Sequence, residues 1–211
     1  YYKKGHEFAS ALLYFNAVDY FKNASEINPY EVHYAIRGAE FSIIGARHTP
    51  EYYYHNLLVM RSDWFLKRIE KLGAGNFAET LLINGQIFSL RNAPDLAIEL
   101  LNLANKKAPT NLRILLELAN VYVQKKSPSE AIEVYKKYLE LMPYWNEAFN
   151  IENATDREKF LFRIFFKGNP EFIRILKNIA NVADSAGMTI EADTYRSYAK
   201  KIDKVMETLT K

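Results

Sequence analysis

Leu81-Leu-Ile-Asn-Gly-Gln-Ile-Phe88 decides how this chain folds, because Leu115-Leu-Glu-Leu-Ala-Asn-Val-Tyr122 answers it 34 residues later. The same 34-residue step lays Ala97, Leu101 and Ala104 over Ala131, Tyr135 and Tyr138, and Pro109 over Pro143. A fixed period of this length marks a stack of repeated helix pairs. Working outward, Gly5, Phe8, Ala17, Phe21, Ala24 and Pro29 keep the mutual spacings of Gly85, Phe88, Ala97, Leu101, Ala104 and Pro109. Near the C-terminus Ala180, Ala183, Ala192 and Ala199 repeat the small-residue part without the closing proline.

Each residue type in the pattern has a physical reason. Two helices approach closely only where side chains are small, so Gly or Ala sits at the crossing point of the first helix, and Ala97 and Ala131 do the same in the second. Phe88, Tyr122 and Tyr135 fill the remaining space at the separations packed helices adopt. Proline cannot continue a helix and biases the residue before it away from the helical region. It therefore closes the second helix and opens the turn to the next pair. Asn84-Gly85 is a turn dipeptide in isolation, but within this register it reads as a packing glycine.

Small, large, small, large and a terminal proline at this period resembles the tetratricopeptide repeat. The resemblance implies an all-α fold, a right-handed superhelical solenoid of antiparallel helix pairs whose first helices line a concave groove. Clear copies occupy residues 1–29, 77–109 and 111–143, with degenerate ones at 31–76 and 144–209. The expectation is a single solenoid domain over 1–211. The chain opens inside a helical pattern at Tyr1, so it is expected to be a piece of a longer protein. Carried over by register, the groove positions are His6 and Ser10, then Ser42, then Glu79, Leu82, Gln86 and Ser89, then Arg113, Asn120 and Gln124. This mixed polar set suits hydrogen bonding to an extended peptide or a helix. It lacks the cluster of Lys and Arg with which chaperone-type arrays hold a C-terminal carboxylate.

The pattern departs from the template in two places. From Pro29 to Pro109 is 80 residues, more than two periods, so one helix of the middle pair must be long. Tyr34, Gly38 and Phe41 mark its first helix. The second reads from Glu51 towards Leu72, with Thr49 as cap, Pro50 in the first turn and Gly73-Ala-Gly75 as its end. Its run Tyr52, Tyr53, Tyr54 covers nearly every side of a helix, so at least one of these rings faces outward as an interface candidate. After Pro143, Tyr144–Phe149 reads as a short helix and Asn150–Thr155 as a break. Asp156 is expected to cap a helix through Phe166. Two last helices follow, near Pro170–Ala186 and Thr189–Leu209. Tyr195, Tyr198, Ile202, Met206 and Leu209 form a one-sided apolar stripe, as a terminal cap of a solenoid requires. Within Phe160–Phe166 burial against those last helices is favoured over an interface.

Composition narrows the function. A net charge of +3, from 28 basic and 25 acidic residues, supplies no clustered cations for nucleic-acid phosphates. With no cysteine, thiolate metal sites, disulfides and cysteine nucleophiles are excluded. The four histidines (His6, His33, His48 and His55) lack the helical spacing of a zinc site. No phosphate-binding loop, nucleophile elbow or dinucleotide fingerprint is present, so no cofactor and no catalytic residue is expected. No stretch approaches the ~18 apolar residues of a membrane span.

Ala24-Ser-Glu-Ile-Asn-Pro-Tyr30 is also similar to the opening of the soluble helical-repeat tails of bacterial O-antigen ligases and polysaccharide polymerases. That second resemblance implies an extracytoplasmic segment tethered to a membrane upstream. The leading expectation is a non-catalytic scaffold that binds a protein or peptide partner in its groove; the alternative is such a tail of a membrane glycan-assembly protein.

Overall fold

The structure, a computed structural model, describes residues 1–143, 153–168 and 170–208. The expected short helix at Tyr144–Phe149, most of the break after it, the Met206 side chain and Leu209 lie outside the described residues. Those described form helices and turns, with no strand among them. The helices are α1 (Tyr2–Ser10), α2 (Tyr14–Ile27), α3 (Val32–His48), α4 (Tyr52–Lys71), α5 (Ala78–Leu90) and α6 (Pro94–Lys107), then α7 (Leu112–Gln124), α8 (Pro128–Glu140), α9 (Asp156–Gly168), α10 (Pro170–Ser185) and α11 (Thr189–Thr208). They divide into two compact units, Tyr1–Pro109 and Thr110–Lys211.

In the first unit α1 packs on α2, α3 on α4 and α5 on α6, while α2 also meets α3 and α4 meets α5. The crossing points carry the small residues of the register. A Cβ on Gly85 would stand 2.7 Å from Cγ of Leu101, and one on Gly5 would stand 2.9 Å from the Phe21 ring. Ala17, Ala97 and Ala104 are almost wholly excluded from solvent, as are Phe21 and Leu101. The middle pair obeys the same rule with a different partner: a Cβ on Gly38 would collide with the ring of Phe65. Helix α4 runs for 20 residues, as the spacing of the prolines demanded.

The turns inside the pairs recur with the repeat. Leu12, Asn92 and Lys126 all adopt left-handed backbone, with φ of 60°, 57° and 62°. At each, the following amide donates back into the helix just ended: Leu13 to Phe8 O at 2.9 Å, Ala93 to Phe88 O at 3.0 Å, and Ser127 to Tyr122 O at 2.9 Å. This is the Schellman closure, which satisfies carbonyls that a helix end leaves orphaned. Gly73 and Gly187 hold the same place with φ of 76° and 74°. There glycine adopts the conformation without the side-chain clash that the other three carry.

Two caps differ from expectation. The N-cap of α4 is Glu51, and Pro50 precedes the helix. Thr49 belongs to the helix before it, closing α3 with its hydroxyl donating to Gly45 O at 2.8 Å. Asp156 opens α9 but does not cap it; the cap is Thr155, whose Oγ1 accepts from the Glu158 amide at 3.3 Å while Glu158 accepts from the Thr155 amide at 2.7 Å. That reciprocal pair is a capping box. Hydrogen bonds from the Thr155 hydroxyl and amide hold the Glu158 carboxyl below its ordinary pKa.

In the second unit α7 pairs with α8 and α10 with α11, and α8 packs against α10, so α9 is an insertion lying on the last pair. Tyr135, Leu139, Phe172, Ile175, Ile179, Ala183, Ala192 and Ile202 share one core. The Phe160–Phe166 segment divides: Phe162 and Phe166 enter that core, whereas Phe160 and Ile164 are each 56% exposed. On α11, Tyr195 and Ile202 face inward with Ala192 and Ala199. Burial pushes the Tyr195 hydroxyl up to about 12, with Glu191 adding to the effect.

Candidate partner-binding faces

The first helices of the first unit present an aromatic and charged cluster. Tyr2 and His6 on α1 meet edge-on with ring centroids 4.7 Å apart, and Tyr2 lies 4.8 Å from Tyr34 and 5.7 Å from His33 on α3. Behind them the rings of Phe21 and Phe41 stack at 5.3 Å, and the His6 ring meets both edge-on. One turn along α3, the Arg37 guanidinium donates to Glu40 at 2.6 Å. Glu40 is buried, Arg37 only partly. A buried carboxylate is tolerable only with such a charge-assisted partner. Glu40, Tyr2 and Glu79 on α5 all hold the Arg37 charge in place, raising its pKa against the cost of burial. Burial lowers the pKa of His6, with the Arg37 charge and the neighbouring His33 adding and Glu40 opposing. Helices α1 and α3 therefore place His33, Arg37 and Glu40 within electrostatic reach of His6, and Glu79 on α5 acts on Arg37.

The expected groove residues fall at different depths. His6 is half-buried, and Ser10 beside it is exposed with its hydroxyl donating to His6 O at 2.9 Å. Glu79 and Ser89 are half-buried, and Gln86 is nearly enclosed. Ser42 and Leu82 are buried more deeply still. The Ser42 hydroxyl donates to Gly38 O at 2.7 Å within its own helix, so it is not available to a partner. A register assigns a residue to a face of a helix but not to its depth, and both lie on the side turned into the packing.

In the second unit Arg113, Asn120 and Gln124 are exposed along α7. Asn120 Oδ1 accepts from the Tyr135 hydroxyl at 2.8 Å, which positions its amide. Tyr52, Tyr53 and Tyr54 are all exposed, more than the single outward ring the sequence required. Sequence reasoning missed Tyr2, His33, Tyr34, Arg37 and Glu40. The available signal was Arg37-Gly-Ala-Glu40, opposite charges one turn apart between the small and apolar stretches Ala35-Ile36 and Phe41–Ala46. Among the described residues no group of three or more His, Asp or Glu side chains could hold a metal ion. Nor, among them, is any helix long and apolar enough to cross a membrane.

Antiparallel helix pairs with packing glycines and recurring Schellman turns make a helical-repeat fold like that of tetratricopeptide-repeat proteins. Residues 90–147 match the family model of the tetratricopeptide repeat. Among solved structures the chain is similar to MamA, at 18% identity over 95% of this chain and 94% of that one with a TM-score of 0.62. A MamA structure labelled MSR-1 aligns at 19% identity over 96% and 94% of the two chains, TM-score 0.59. TTC0263, a thermophilic tetratricopeptide-repeat protein of Thermus thermophilus, aligns at 21% identity over 66% of this chain and 71% of its own, TM-score 0.59. No curated protein matches by sequence. At these identities the likeness shows the fold.

Proposed function

We propose that this chain is a non-catalytic scaffold that holds a segment of a partner protein on its first-helix faces. The observation that carries the reading is the cluster of Tyr2, His6, His33, Tyr34 and the Arg37–Glu40 pair, set on successive first helices of the first unit. Tyr and Arg are the side chains that most often anchor protein interfaces. The Arg37–Glu40 bond orients a guanidinium within electrostatic reach of Tyr2 before any partner arrives, which lowers the ordering cost of binding. Arg113, Asn120 and Gln124 on α7 offer a polar first-helix face in the second unit. Site-specific photo-crosslinking in cells carrying the full-length protein tests the assignment. A crosslinker at His33 or Ser89 is expected to trap a discrete partner, and one at Lys137 on the second helix α8 is not. Equal trapping at all three positions would sink the first-helix assignment. Arg37→Ala is expected to reduce the yield at His33 at least tenfold, the loss of one anchoring contact of about 1.4 kcal/mol.

A further inference from the structure

The second helices of the first unit hold another feature, independent of the first-helix face. Between α2 and α4 lies an open cavity of ≈ 240 Å³. Val18 and Phe65, both buried, line its depth with Leu57, while Met60 and Trp64 form its apolar rim. Met60 is 66% exposed, an unusual position for an unbranched apolar side chain that adapts readily to a binding partner. The lining of α4 recurs as Leu57, Met60, Arg61 and Trp64, the three- and four-residue spacing into which the ridge of another helix packs.

The charges around this cavity are not balanced. Arg61 lies 2.7 Å from Asp19, so that carboxylate is already neutralised. The Lys22 ammonium stands 5.7 Å over the Trp64 ring and 3.8 Å from Glu26, a loose pair with both side chains about half exposed. The Arg68 guanidinium also lies 5.7 Å from Trp64 and donates to Ser25 O at 2.6 Å, so its charge meets a ring and a carbonyl oxygen. Three cations thus border an apolar slot with two carboxylates, leaving a positive excess. The apolar band runs on past the cavity: Arg61 sits 5.6 Å over Phe15, and Phe15 meets Tyr54 edge-on at 5.4 Å. The exposed tyrosine run is the far end of the same surface.

We propose that the α2–α4 groove docks an acidic amphipathic helix of a partner protein. One large apolar side chain of that helix enters the slot beside Met60 and Trp64, and flanking carboxylates face Lys22 and Arg68. This is helix-in-groove recognition, with the apolar anchor supplying affinity and the charges supplying orientation.

The chain has two tryptophans, so Trp145→Phe leaves Trp64 as the sole indole reporter. The probe is a synthetic helical peptide of two Leu-Glu-Glu-Leu-Leu-Glu-Glu heptads, titrated into that variant while Trp64 fluorescence is followed. A saturable change is expected. Lys22→Glu is expected to weaken binding about tenfold. Met60→Asp, at an exposed position, is expected to abolish it with the helical circular dichroism unchanged. A peptide with Lys in place of Glu that binds as tightly would overturn the charge argument. A peptide with Ala in place of Leu that binds as tightly would overturn the apolar anchor. No fluorescence change with the acidic peptide up to millimolar concentration would overturn the proposal outright.

Discussion

The pair α5–α6 and the pair α3–α4 solve the same packing problem with different amounts of chain. In the first, Gly85 receives Leu101 from a 14-residue helix, and the result is a plain repeat. In the second, Gly38 receives Phe65 from a 20-residue helix, so the partner lies further along the chain and is an aromatic ring. The plain pair uses its second helix mainly for stacking. The long pair carries the same contact and has length left over, and that extra length bears Tyr52, Tyr53, Tyr54 and Met60 in solvent. A repeat array tolerates such an insertion because each pair needs to satisfy only its neighbours. Irregularity in a repeat is therefore the place to look for a surface selected for something besides stacking.

Breaking the comparison at its tightest point has the largest expected effect. Gly38→Ala drives a methyl group into the Phe65 ring, which is 1% exposed and wedged edge-on against Trp64 at 4.9 Å. The buried ring can yield only by moving towards the α2–α4 cavity that it lines, which disturbs its edge contact with Trp64, so the cost is about 3 kcal/mol, only partly offset by alanine's better helix propensity of about 1 kcal/mol. Urea denaturation read by circular dichroism checks it. A loss below about 0.5 kcal/mol would show that α4 can shift, and that the long pair is looser than its geometry.

Gly85→Ala applies the same test to the plain pair with a smaller result. The new methyl would meet Cγ of Leu101 at 2.7 Å and the Ala97 carbonyl at 3.3 Å. The approach is less close than at Gly38 and leucine has other rotamers to try, so the expected loss is about 1–2 kcal/mol. A Gly85 variant that unfolds more readily than the Gly38 variant would reverse the ranking.

A stabilising change is expected at the turns. Lys126 is exposed, with φ of 62°, a conformation that costs an L-residue about 1 kcal/mol. Lys126→Gly removes that strain and is expected to raise stability by about 0.5–1 kcal/mol, less the extra freedom glycine gains when unfolded. The Schellman bonds involve only backbone, so they survive the exchange. Leu12, in the same left-handed place at the α1–α2 turn, is expected to respond in the same direction. A fall in melting temperature at both sites would mean that the side chains, not the backbone, hold these turns.

The packing was legible because it is written in size. Gly85, Ala97, Leu101 and Ala104 announce a contact whatever surrounds them, and the surplus between Pro29 and Pro109 announces a long helix. The turns were half legible: Gly73 and Gly187 show a left-handed residue by type, whereas Leu12 and Lys126 hide it. Caps slipped because Thr49 can close one helix as readily as open the next, and its neighbour Pro50 fits either account. Depth was the least visible property. Ser42 and Ser89 hold the same place in the register, four residues after Gly38 and Gly85, yet Ser42 is buried and Ser89 half-buried, because depth depends on how close the next helix stands. Arg37 and Glu40 escaped for the converse reason, since opposite charges one turn apart usually lie on a solvated surface.

The smallest expected effect belongs to the first-helix cluster itself. His6 has its pKa held below the ordinary 6.5 by burial first, and then by the Arg37 charge and the neighbouring His33. The folded chain therefore takes up this proton less readily than the unfolded chain. Stability is untouched above the ordinary histidine range and falls as pH drops below about 6.5, where only the unfolded form protonates freely. Glu40 opposes the shift but does not cancel it. His6→Gln keeps a polar side chain and removes the titration, so its melting temperature is expected to be flatter than the parent's between pH 7 and 5. Carboxylates titrate lower, which leaves that window to histidine. If parent and variant lost stability in parallel across it, the enclosure of His6 by Tyr2, Phe21 and Phe41 would not govern its charge. The first-helix cluster would then be a solvated surface like that of α7.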